Sequence, residues 1–103
     1  MHKLTKARMA ELRALRADAD SAYASLEDAV VAYNNSVLSL SEFCTSVADD
    51  IETYMDERSD AWQEGVRAEE FREVLDAWQG VVLYEVDMPD PAHEVLDDLP
   101  LEW

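Results

Sequence analysis

Glu52, Asp56, Asp60 and Glu64 recur at steps of four residues, which on a helix sets four carboxylates along one side at intervals of about 6 Å. Like charges at that spacing destabilise an isolated helix by roughly 0.2–0.5 kcal/mol per pair, so four in a row need a reason beyond local helix stability. One strand of duplex DNA presents a phosphate about every 3.4 Å of axis. The row is sparser than that, and Asp49, Glu57, Glu69, Glu70, Glu73 and Asp76 thicken it. Two readings follow. The acids either imitate a nucleic acid and fill a basic groove on another protein, or form a solvated face that keeps a small protein in solution.

Other chemistry is poorly supplied. His2 and His93 are the only histidines and both lie near the chain ends. Asp90, His93 and Asp97 could ligate a metal from one helical face, but Pro89 and Pro91 oppose an ordered helix there. Cys44 has no basic or histidine neighbour in sequence to activate its thiol, and a small buried apolar position suits it better than a nucleophile. The two glycines, Gly65 and Gly80, make no phosphate-binding loop. No catalytic, cofactor-binding or metal-binding residue is therefore assigned, and no enzyme activity is expected. Trp62 and Trp78 read as core anchors, whereas Trp103 suits partner binding and docking back onto the chain equally well.

Composition narrows the class. The 103 residues carry 24 acidic and 8 basic side chains, a net charge of −16, yet 49% are apolar. That is too hydrophobic for a disordered acidic tail and long enough for one core. The charge argues against direct contact with nucleic acid or with anionic membranes, which need a basic surface. A single cysteine forms no intramolecular disulfide, and no apolar run reaches the roughly 20 residues of a membrane span, so a cytoplasmic location is expected.

The positioning elements read as all-α. Leu12, Leu15, Ala19, Ala22, Leu26, Ala29 and Tyr33 alternate spacings of three and four, a coiled-coil-like seam on a first helix over about Leu4 to Tyr33. Asn34-Asn35-Ser36 supplies a turn, and Ser39-Leu40-Ser41-Glu42 has the spacing of a capping box. A second helix from about Leu40 to Glu64 then carries Phe43, Val47, Ile51, Tyr54, Met55 and Trp62 on one stripe. The two lengths and the short connection imply a long antiparallel helical hairpin. A shorter third helix over about Arg67 to Gln79 ends at Gly80, where a left-handed cap is expected. Residues 1–80 form the helical domain and residues 81–103 an extended acidic tail. Val81 to Val86 has β-type composition and suits a docking segment or pairing with its copy in a dimer. A hairpin leaves part of its seam open, so a homodimer is expected.

Charge is unevenly distributed. Residues 1–16 hold five basic side chains and one acid, and residues 17–103 hold three basic and 23 acidic. An antiparallel hairpin would set the basic end beside Asp56, Glu57, Asp60 and Glu64, each exposed pair contributing about 0–1 kcal/mol.

The block Asp56-Glu57-Arg58-Ser59-Asp60-Ala61-Trp62-Gln63-Glu64-Gly65, with Leu75-Asp76-Ala77-Trp78 and Asp98-Leu99-Pro100, resembles small acidic helical proteins carried by phages and plasmids. The resemblance covers about half the chain. It implies a mobile-element origin, a setting in which acidic inhibitors of host defence, anti-CRISPR and antirestriction proteins among them, are common. Trp78-Gln79-Gly80 also matches the W-x-G of a small secreted helical-hairpin family, where that motif sits in the hairpin turn. The expected function is a non-enzymatic inhibitor that binds a basic nucleic-acid-handling protein of the host through Glu52, Asp56, Asp60, Glu64, Glu69, Glu70, Glu73, Asp76 and Trp103. The alternative is a homodimeric helical scaffold whose acidity serves only solubility.

Overall fold

The computed structural model describes residues 2–103. The chain forms α1 (Lys6–Asp56), α2 (Asp60–Gln63), α3 (Val66–Gln79) and α4 (His93–Leu96). Among the described residues there is no strand, only an isolated antiparallel bridge between Lys3 and Glu102. The all-α expectation holds.

The long hairpin is corrected. The expected first helix and most of the expected second are one helix of 51 residues, which runs through Asn34-Asn35-Ser36 without a turn. Asn and Ser cost only about 0.5–0.7 kcal/mol each relative to Ala inside a helix. Val37, one turn beyond Asn34, is a buried core residue, and burying a Val side chain contributes about 1.5–3 kcal/mol. Packing therefore outweighs the local turn preference. The Ser39–Glu42 capping-box spacing falls in the middle of α1, where the amides it would cap already bond to the preceding turn.

The break comes later, at Glu57–Ser59. Ser59 is extended (φ −65°, ψ 161°) and caps α2, its side-chain oxygen accepting from the Trp62 amide at 3.2 Å. The Gln63 side-chain amide donates back to the Met55 carbonyl, one of the groups freed at the end of α1. Arg72 in turn donates to the Gln63 carbonyl at 2.7 Å, tying α2 to α3. Gly65 begins α3 in an extended conformation without a side-chain cap. At the other end Gly80 is right-handed (φ −81°, ψ −3°), a correction to the left-handed cap, and its amide bonds to the Asp76 carbonyl at 2.9 Å. Glycine is used there for closeness: a Cβ would lie 3.0 Å from that carbonyl oxygen. Trp78-Gln79-Gly80 thus closes α3 and forms no hairpin turn.

The chain divides into two compact units, and α1 contributes to both. The contiguous unit, Tyr33–Glu85, packs the C-terminal part of α1 against α2 and α3. Tyr54 stacks on Phe71 at 5.1 Å, Trp62 meets both rings edge-on, and Phe43 meets Trp78 edge-on at 6.2 Å. Pairing 54 with 71 and 43 with 78 makes α3 antiparallel to α1. Such ring pairs add about 0.5–1.5 kcal/mol each beyond area burial. The core of this unit is small: Val37, Ala48, Met55 and the fully buried Ala68.

The second unit joins Met1–Ala32 to Val86–Trp103. The tail returns antiparallel along α1. Tyr23 donates its hydroxyl to the Pro89 carbonyl at 2.8 Å, His93 Nδ1 lies 3.2 Å from Asp20, Arg16 pairs with Asp97 at 2.6 Å, and the Leu4 amide bonds to the Leu101 carbonyl. Leu99, Pro100 and Leu101 share a hollow with Leu4, Leu12 and Leu15, and Pro91 and Ala92 lie by Ala19, Ala22 and Leu26. The seam expected to receive the second helix receives the tail. The tail is mostly irregular, with one helical turn at His93–Leu96.

Continuity through Asn35 is directly testable, since that side chain is exposed. Asn35→Pro is expected to cost about 3 kcal/mol or more in denaturant unfolding, and Asn35→Ala to add about 0.5 kcal/mol. A turn at this place would make the proline nearly neutral.

Candidate acidic interface

The eight candidate carboxylates all belong to the contiguous unit and are all exposed. Glu52, Asp56, Asp60 and Glu64, expected as a stripe on one helix, do not share one. Glu52 and Asp56 end α1, Asp60 opens α2, Glu64 caps its C-terminus, and Glu69, Glu70, Glu73 and Asp76 stand on α3. The Ser59 cap is what divides the row, because it restarts the helix with a new axis after Asp56. The signal was present in the sequence as a Ser-Asp pair of the kind that opens helices.

Helix electrostatics separate these acids into two kinds. Asp60 and Glu69 lie in the first turns of α2 and α3, where the N-terminal end of the helix dipole favours a carboxylate. Asp56 and Asp76 lie in the last turns of α1 and α3, where the dipole opposes an anion and no basic residue offsets it. On α3, Glu69 and Glu73 are four apart, and Glu73 is three from both Glu70 and Asp76. Each such pair repels by a few tenths of a kcal/mol, roughly 0.2–0.5. Local helix stability favours Asp60 and Glu69 and opposes Asp56 and Asp76.

Little within the unit neutralises them. Tyr33–Glu85 contains 13 acidic residues and three basic ones, Arg58, Arg67 and Arg72. Arg58 lies over the Tyr54 ring at 4.2 Å, and Arg72 is bonded to the Gln63 carbonyl. Arg67 is 3.7 Å from Glu70 in an exposed pair. The other seven candidate acids make no ion pair among the described residues.

The basic N-terminal segment engages different acids from those expected. Lys3 pairs with Glu102 at 3.3 Å, Arg8 with Glu11 at 3.0 Å and Arg16 with Asp97 at 2.6 Å. The tail is the nearer source of carboxylates because it returns along the same part of α1. Asp56, Glu57, Asp60 and Glu64 gain no partner from that segment.

Trp103, the ninth candidate, belongs to the other unit. It docks back through its main chain, exchanging two backbone hydrogen bonds with His2, and its ring lies 6.4 Å from the His2 ring while staying 65% exposed. His93 faces Asp20, and Asp97 is taken by Arg16. Among the described residues no group of His, Cys, Asp or Glu is placed to hold a metal. Cys44 is half-buried in α1 beside Trp78. Among the described residues no helix is long and apolar enough to cross a membrane.

No protein-family model matches the chain, and no curated protein or solved structure shows significant similarity to it.

The dipole argument gives a measurable sign. Asp76→Lys is expected to stabilise the protein by about 0.3–1 kcal/mol in thermal or denaturant unfolding at low salt, and less at high salt. A stability loss of similar size would mean that Asp76 has a favourable partner in the fold.

Proposed function

We propose that the protein is a non-enzymatic acidic binding module that occupies the basic nucleic-acid-binding surface of another protein, as a nucleic-acid mimic does. The observation that carries this reading is the uncompensated acid of the contiguous unit: 13 acidic residues against three engaged arginines. Three of the five N-terminal cations, Lys3, Arg8 and Arg16, are paired with other acids. Exposed carboxylates held on three helices present a fixed negative field without the cost of ordering a flexible acidic chain. A basic groove that meets them releases its bound anions and gains long-range attraction, which speeds encounter and selects partners by charge.

The proposed setting is the cytoplasm of a host cell carrying a phage or plasmid, where the partner is a nucleic-acid-handling defence protein and the module acts as an anti-CRISPR or antirestriction inhibitor. No cofactor takes part. The second reading, a homodimeric scaffold with acid serving solubility, is favoured by a different observation: Leu38, Leu40 and Phe43 on α1 are each more than half exposed.

Capture from host lysate separates the two. A basic partner retained at about 0.05 M salt should be released at about 0.5 M and displaced by duplex DNA. Charge reversal to Lys at Glu69, Glu70, Glu73 and Asp76 should abolish its capture while the helical content is kept. Capture that is indifferent to salt and to the reversal would leave the acids as a solvated face.

A further inference from the structure

The acidic surface belongs to the contiguous unit, and the unit of the chain ends holds a feature of another kind. Where the tail returns along α1, Leu99, Pro100 and Leu101 join Leu4, Leu12 and Leu15 in lining a hollow of about 450 Å³. Small-molecule sites measure roughly 300–1,000 Å³ and are mostly apolar with a few polar groups. The hollow is not a frayed edge, because the tail is fixed at both of its ends. Arg16 pairs with Asp97 at 2.6 Å beyond Leu15, and the Leu4 amide bonds to the Leu101 carbonyl at 3.2 Å. Between these ties the irregular tail leaves a gap. Leu15 and Leu99 therefore stay 59% and 52% exposed although two segments meet there.

One cation interrupts this apolar wall. Leu4, Arg8, Leu12 and Leu15 follow one another at steps of four, four and three, so a guanidinium stands within the leucine row. Its partner is Glu11 at 3.0 Å, in an exposed pair of the kind that contributes little and that a ligand carboxylate can replace. Arg8 and Leu4 also line a second hollow, of about 410 Å³, with His2, Lys3, Thr5 and Trp103. The two hollows therefore adjoin at the arginine. No acid lines the second among the described residues, although Lys3 is held in an exposed pair with Glu102 at 3.3 Å. Residues 1–16 carry five cations against one acid, so the local charge favours an anion although the chain as a whole is acidic.

A ligand that fits both hollows has an apolar chain and one anionic end. We propose that the start of α1 and the tail form a binding site for a free fatty carboxylate. Its alkyl chain lies among Leu12, Leu15, Leu99 and Leu101, and its head meets Arg8 and Lys3. Leu4 and Leu15 are about 16 Å apart along the helix, which suits a medium-length chain such as that of dodecanoate. Each methylene that leaves water strengthens binding about fourfold at full burial, so the chain supplies affinity. The head supplies selection: a cationic end is repelled by Arg8 and Lys3, and a neutral one gives the guanidinium no charged partner.

The inference does not rest on the acidic surface, since every residue it uses belongs to the other unit. Calorimetric titration with dodecanoate, kept below the concentration at which it forms micelles, should show saturable binding of one ligand per chain. The amide resonances of Leu4, Leu12, Leu15 and Leu101 should shift, and those of α3 should not. Decanoate, shorter by two methylenes, should bind at least about threefold more weakly. Dodecanol should also lose at least about threefold, and dodecyltrimethylammonium more. Leu15→Gln, at an exposed position where a helix tolerates glutamine, should weaken dodecanoate binding about fivefold or more. Arg8→Gln should remove the preference for carboxylate over alcohol while the alcohol binds as before. Leu38→Gln, on α1 in the contiguous unit and similarly exposed, should change neither affinity. Absence of saturable binding, equal binding of the three head groups, or an affinity unmoved by Leu15→Gln would overturn the inference.

Discussion

A single helix cannot bury its own apolar stripe, and α1 has 51 residues of it. That constraint governs the molecule. Each part of the stripe needs a segment laid against it, and two different kinds are used. One is α3, reached through the Ser59-capped turn and held by the ring contacts of Tyr54, Phe71, Phe43 and Trp78. The other is the irregular tail, held by one tyrosine hydroxyl, three backbone bonds near the ends and a few exposed ion pairs. Neither is broad, so among the described residues the buried set is Val37, Ala48, Met55 and Ala68.

The charge pattern follows from the same arrangement. Because the tail returns along the N-terminal part of α1, Lys3 and Arg16 are met by Glu102 and Asp97. Had a second helix returned along that part, Asp56 to Glu64 would have been neutralised. The choice of covering segment decides which acids the N-terminal cations reach, and those of α1's end and α2 are not among them.

The all-α class and the extent of α3 were legible from periodicity and from Gly80. Asn34-Asn35-Ser36 misled because turn preference is a local quantity of about half a kcal/mol per residue, while the burial of Val37 depends on segments far along the chain. The two serine signals show the same limit. Ser39 and Ser59 look alike in sequence, yet only Ser59 caps a helix, since the apolar stripe runs unbroken past Ser39 and a second set of contacts from Gln63 and Arg72 secures the break near Ser59. For the acids, identity and exposure were readable. Their division over three helices was not, because it depends on that one cap. The pairing of Arg16 with Asp97 lay beyond sequence reading, as nothing local links residues so far apart.

The two units differ in how much chain must close to make them. In Tyr33–Glu85 the pairs are modestly spaced, such as Tyr54 with Phe71. In the other unit Tyr23 meets Pro89 across 66 residues and Arg16 meets Asp97 across 81. Loop closure disfavours the distant pairs, and folding speed falls as such pairs dominate. Once the contiguous unit has formed, the residues from Tyr33 to Glu85 no longer count as free chain, and the tail has a much shorter search to the N-terminal turns. The topology therefore favours closing the contiguous unit before the long-range pairs Tyr23–Pro89 and Arg16–Asp97.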